Sequence, residues 1–101
     1  MTYDLTPRWA RAHPEFPAAD MPDVPTAWID ASENGDACPR FDAGHGVTIW
    51  IDHYEPAHRD VAGASRFTAT VADDPSLVAE SEIFARICWA VEVLARDAAR
   101  T

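Results

Sequence analysis

Four prolines stand within the first 23 residues, at Pro7, Pro14, Pro17 and Pro22. Proline fixes φ and lacks the backbone N–H, so this spacing forbids a long helix or a central strand there. One helical turn fits, capped at Thr6 with Pro7 at its first position and continuing through Ala12. The rest of residues 1–23 reads as an extended arm. Leu5, Trp9, Phe16 and Met21 mark it as a segment laid onto the rest of the protein.

Beyond the arm the pattern changes. Thr26–Asp30 reads as a first strand. Residues 31–45 read as a loop, with Asn34-Gly35 and Cys38-Pro39 as turn signals and Gly44-His45-Gly46 as the turn feeding the next strand. The run from Val47 to Tyr54 is rich in β-branched and aromatic residues and is the clearest strand. A second loop covers residues 55–64, and Arg66–Val71 is a third strand. Asp73-Asp74-Pro75 announces a helix, with Asp74 as cap and Pro75 at the first position. Ile83, Phe84, Ile87, Val91, Leu94 and Ala98 form one stripe at helical spacing. Arg96 and Arg100 suit the C-terminal end of its dipole. Glu82 to Arg86 and Glu92 to Arg96 are favourable pairs four apart.

The expected fold is therefore α+β. It is a three-stranded antiparallel β-meander with one C-terminal α-helix packed on one face and an extended Pro-rich N-terminal arm. A single domain spans 1–101, divided into arm (1–23), sheet (24–72) and helix (74–100). Strand alternation puts Ala27, Ile29, Val47, Ile49, Ile51, Phe67, Ala69 and Val71 under the helix. It puts Trp28, Asp30, Thr48, Trp50 and Asp52 on the opposite face. This strand order resembles the last part of a double-stranded-RNA-binding domain in topology alone. The basic residues that let such a domain hold phosphates are missing, so its function does not transfer.

Charge narrows the function classes. Seventeen Asp and Glu stand against eight Arg, with no Lys, for a net charge of -9. Residues 1–60 hold most of that excess. No basic residue lies between Arg11 and Arg40, while Glu15, Asp20, Asp23, Asp30, Glu33 and Asp36 all do. Such a surface repels nucleic acid and attracts cationic partners. The absence of Lys removes a P-loop, a Schiff base and a Ser-Lys dyad. An apolar content of 48% argues for a folded core. A chain of 11.1 kDa buries about 65% of its unfolded surface, which needs no metal or disulfide staple. No apolar run suits a membrane span, and the start does not read as a signal peptide, so a cytoplasmic protein with Cys38 and Cys88 free is expected.

Several groups are candidates for chemistry. Trp28 and Trp50 could form a stacking platform, a second small core covered by the arm, or a partner surface. Asp30 and Asp52 could hold Mg²⁺ or act as an acid/base pair, and are more simply solvated strand ends. His45, His53 and His58 match no zinc template, and Cys38 stands outside any Cys-x-x-Cys pair, so no metal or cofactor is assigned. The acids around Cys38 should raise its thiol pKa, which argues against a nucleophile. Trp89 and Val93 fall on the helix side away from the core, so either the arm reaches around to cover them or they contact another chain.

The sequence thus points to a non-enzymatic acidic binding protein that engages a basic protein surface. Its contact set would be Trp28, Trp50, Asp30, Asp52, Glu33, Asp36 and Trp89. A DNA-mimic inhibitor, of the kind phages and mobile elements encode, is one concrete form. The alternatives are a small homo-oligomeric accessory protein using the Trp89/Val93 patch, and a metal-dependent enzyme.

Overall fold

The β-branched run at 47–51 becomes the central strand of an antiparallel sheet. The computed structural model describes residues 5–99. In chain order it contains α1 (Arg8–Ala12), β1 (Ile29–Asp30), β2 (Arg40–Gly44), β3 (Val47–Ile51), β4 (Phe67–Val71), β5 (Asp74–Ser81) and α2 (Phe84–Ala99). The strands lie side by side in that order, each antiparallel to the next. The class is α+β, as expected. The sheet has five strands rather than three, which departs from the strand order behind the RNA-binding-domain resemblance. Arg100 lies outside the described residues, as does the side chain of Ala98.

The two extra strands occupy stretches that carry misleading local signals. β2 sits in the segment expected to be loop. Its residues, Arg-Phe-Asp-Ala-Gly, include only one strong strand former, so pairing with β3 decides its conformation. The turn between them is His45-Gly46, with φ of 55° and 75°. Positive φ at both turn positions matches the right-handed twist of a two-residue hairpin. Gly44, at φ 86°, absorbs a register shift on β2. At the other edge, Asp74-Pro75 opens β5 instead of a helix. An edge strand tolerates the missing proline N–H. The helix starts at Phe84, after Ser81 Oγ accepts the Ile83 N–H at 3.0 Å.

Cross-strand partners share a face of the sheet. Phe41, Ile49, Ala69 and Ala79 form one inward row, and Val47 and Ile51 continue it beside Val71 and Phe67. Ile87 and Val91 of α2 are buried over this face. Phe84 meets Phe67 at 5.1 Å between ring centroids and Trp28 at 5.8 Å. The arm covers the rest of the same face. Phe16 is buried in the core, and Trp9, Met21 and Val24 pack against it. The opposite face carries half-buried Thr48, Trp50, Thr68 and Thr70 and stays open to water, which antiparallel sheets allow.

The expected alternation fails at β1. Asp30 pairs with Phe41 and so faces inward, while Ile29 pairs with Asp42 and is 66% exposed on the open face. A shift of one residue exchanges the two faces. Two interactions hold the inverted phase. The Asp30 carboxylate accepts the N–H groups of Trp9 at 2.8 Å and Ser32 at 3.1 Å. Trp28 leaves the sheet in a turn, its N–H bonded to Pro25, and reaches Phe84.

The arm is therefore a structural member of the core. Truncating a buried Phe costs about 3–5 kcal/mol. Phe16→Ala is expected to lose that much in urea denaturation and to expose residues 13–21 to protease. A loss below about 1 kcal/mol would show an arm that merely rests on the sheet.

Candidate functional site

The expected contact residues do not assemble into one surface. Trp28 packs toward α2, whereas Trp50 faces the open side beneath the Arg40 guanidinium, 5.4 Å from its ring centroid. The paired platform is absent because β1 runs in the inverted phase. Asp30 and Asp52 do not share a face as solvated strand ends either. Asp30 holds the arm, and Asp52 is buried beyond the end of β3, where it accepts the His53 N–H at 2.8 Å. Glu33 and Asp36 both reach Arg40, at 3.2 Å and 3.3 Å, and Asp36 also accepts the Glu33 N–H. Trp89 stands exposed on α2.

A different surface forms where the arm meets the loop between β3 and β4. The loop is anchored by Arg59, whose side chain is only 5% exposed. Its Nε donates to the His53 carbonyl, Nη1 to Ala64 O and Glu82 Oε2, and Nη2 to Tyr54 O and Glu82 Oε1, all within 2.8–3.0 Å. That uses all five donors of the group. Glu82 also accepts the Arg66 N–H. The Arg66 guanidinium donates to the Asp20 carbonyl and lies over the rings of Phe67 and Tyr54. Asp20 returns the contact by accepting the Tyr54 N–H at 3.2 Å, and the Phe16 ring lies tilted against His53, 4.9 Å between centroids. Arm and loop thus form one continuous surface.

The charges on this surface are sorted by depth. Arg59 and Arg66 turn inward, while Glu15, Asp23, Glu55 and Asp60 are exposed. Among those acids stand two exposed apolar side chains, Tyr54 at 66% and Val61 at 60%. Sequence reasoning missed both. Their signal was an aromatic and a β-branched residue inside a loop flanked by Glu55 and Asp60. It acquires meaning only once the loop is known to be pinned.

Other chemistry is sparse. An open groove of about 360 Å³ lies between α1 and the segment 32–34, lined by Arg8, Arg11, Ala12, Ser32, Glu33 and Asn34. Its Arg8 Nε is already bonded to the Ser32 carbonyl at 2.7 Å. His45 sits at the β2–β3 turn, while His53 and His58 lie beyond the far end of β3 with rings 5.9 Å apart. Among the described residues, no three His, Cys, Asp or Glu converge to hold a metal. Cys38 and Cys88 are free. Burial, then the fields of Asp52, Asp36 and Asp60, pushes the Cys38 thiol up to about 12. The acids contribute as anticipated, but burial is the larger cause. Burial, with Glu92 beside it, also raises the Cys88 thiol. Among the described residues no helix is long and apolar enough to cross a membrane.

No protein family matches the chain, and no curated protein or solved structure is recognisably similar to it.

The Arg59 hydrogen bonds, then the Arg66 N–H, lower the Glu82 pKa from its ordinary 4.5. A depressed carboxylate contributes stability above its unfolded pKa and loses it as pH falls through the folded value. Glu82→Gln is therefore expected to unfold more readily than wild type near pH 7. The gap should close as pH falls below the ordinary 4.5. An equal gap on both sides of that range, followed by thermal unfolding, would assign the loss to shape rather than charge.

Proposed function

We propose that this protein is a non-enzymatic binding protein whose arm–loop face engages a basic protein surface. The observation that carries the reading is the sorting of charge by depth. The guanidinium groups of Arg59 and Arg66 are spent on carbonyls, on Glu82 and on aromatic rings, while Glu15, Asp23, Glu55 and Asp60 face water. A cationic partner therefore meets carboxylates with their neutralising cations withdrawn. Tyr54 and Val61 supply apolar area at the same place. Charge attraction speeds encounter, and anchors that lose water on contact hold the complex. The same charges disfavour direct nucleic-acid binding.

The contact set accordingly centres on Tyr54, Glu55, Asp60 and Val61. Glu33 and Asp36 are instead paired with Arg40. Trp28, Trp50, Asp30 and Asp52 are engaged in internal contacts, so they are left out of this contact set. The DNA-mimic form is the narrower version of this reading. Its partner would be a nucleic-acid-binding protein, and this chain and DNA would exclude one another on it.

A partner captured from cells should bind this chain with an on-rate that falls at least about tenfold from low to high salt. Glu55→Gln with Asp60→Asn should flatten that dependence, and Tyr54→Ala should speed dissociation. Kinetics indifferent to both salt and the double substitution would overturn the reading. In the mimic form, DNA should also compete with this chain for the partner.

A further inference from the structure

We propose that the outer side of α2 is a two-fold interface with a second copy of this chain, packed antiparallel about Trp89. The surface is separate from the arm–loop face, and so is its test.

The helix is committed inward through Phe84, Ile87, Val91 and Leu94. At 100° per residue, Trp89 points about 180° away from the centre of that stripe. It is 68% exposed. Ala85 and Val93 stand one turn to either side and extend the apolar line. The indole thus leaves most of its surface in water within its own chain. Trp is also the residue most enriched among binding hot spots.

The charges around Trp89 specify the occupant. Arg86, Glu92 and Arg96 flank it on the same side, and none of their side chains makes a hydrogen bond or ion pair with a described residue. The expected pair between Glu82 and Arg86 is not made, because Glu82 is held by Arg59. The expected pair between Glu92 and Arg96 is not made either. In an antiparallel pair with its axis at Trp89, a residue some steps after Trp89 meets the residue as many steps before it on the other copy. Arg86 then faces Glu92, and Glu92 faces Arg86. Val93 meets Ala85, and the two indoles meet at the axis. Parallel packing would instead set Arg86 against Arg86 and Glu92 against Glu92. The set of Ala85, Arg86, Glu92 and Val93 is self-complementary only under a two-fold antiparallel arrangement, the symmetry that most homodimers use. Helix axes 8–10 Å apart, the usual packing distance, suit such contacts. The α2 helix has 16 residues, about 24 Å of length, so the contact can run along several turns.

Sedimentation velocity on the full chain tests this. Wild type is expected to be dimeric at about 100 μM, and Trp89→Asp monomeric with an unchanged far-UV circular dichroism spectrum. Arg86→Glu and Glu92→Arg each create two like-charge contacts and should raise the dimer Kd about tenfold. The double reversal restores opposite charges and should recover the wild-type value. A monomeric wild type would overturn the proposal. So would a dimer that survives Trp89→Asp, since the contact then lies elsewhere, such as the edge of β5. A double reversal no tighter than either single one would overturn the antiparallel register.

Discussion

Arg59 satisfies the carbonyls of His53, Tyr54 and Ala64 and both carboxylate oxygens of Glu82 from a single planar group. The loop it serves has only the short turn at Pro56–His58 as regular structure. Backbone carbonyls that leave water need partners, and a loop without a ladder cannot supply them itself. The guanidinium fork does so in three directions at once. A lysine ammonium, a point donor with three protons, could not match that geometry. Because the far end of the fork grips Glu82, the loop is tied to the junction of β5 and α2. The position of Tyr54 and Val61 thus depends on a residue 23 positions further along the chain.

Much of the acidity that dominates the composition is spent on local architecture. Asp30 fastens the arm, Asp36 closes a turn onto Arg40, and Asp42 accepts the Gly44 N–H at the hairpin. Asp20 joins arm to loop, and Asp74 steadies the start of β5 through Ser76. A carboxylate accepting backbone N–H groups is a capping device that needs no target. The side chains of Glu15, Asp23, Glu55 and Asp60 make no hydrogen bond or ion pair with a described residue, and these are the acids on which the proposed recognition rests.

The sequence made the periodic elements legible and hid those fixed by contact. The α2 stripe of Phe84, Ile87, Val91 and Leu94 and the β-branched runs of β3 and β4 follow directly from helical and strand spacing, whereas Ile83, expected in that stripe, precedes the helix and is exposed. β2 was hidden because its side chains have little strand preference, and only β3 beside it makes a strand of them. β5 was masked by Asp73-Asp74-Pro75, a helix-start signal with no apolar stripe between Ser76 and Glu82 behind it. The phase of β1 could not be read from two residues, and it carried Trp28 to the wrong face. Trp89 was visible because its exposure is a matter of helical angle alone. Arg59 was invisible because its partners are distant in sequence.

Cys38 is buried next to Pro39, whose carbonyl accepts the Ile51 N–H at the end of β3. A buried thiol whose pKa is raised reacts slowly with alkylating reagents while its surroundings stay closed. Its labelling rate is thus a clock for the opening of that region, read against half-buried Cys88 on α2. The molecule carries a native chemical gauge of its own breathing.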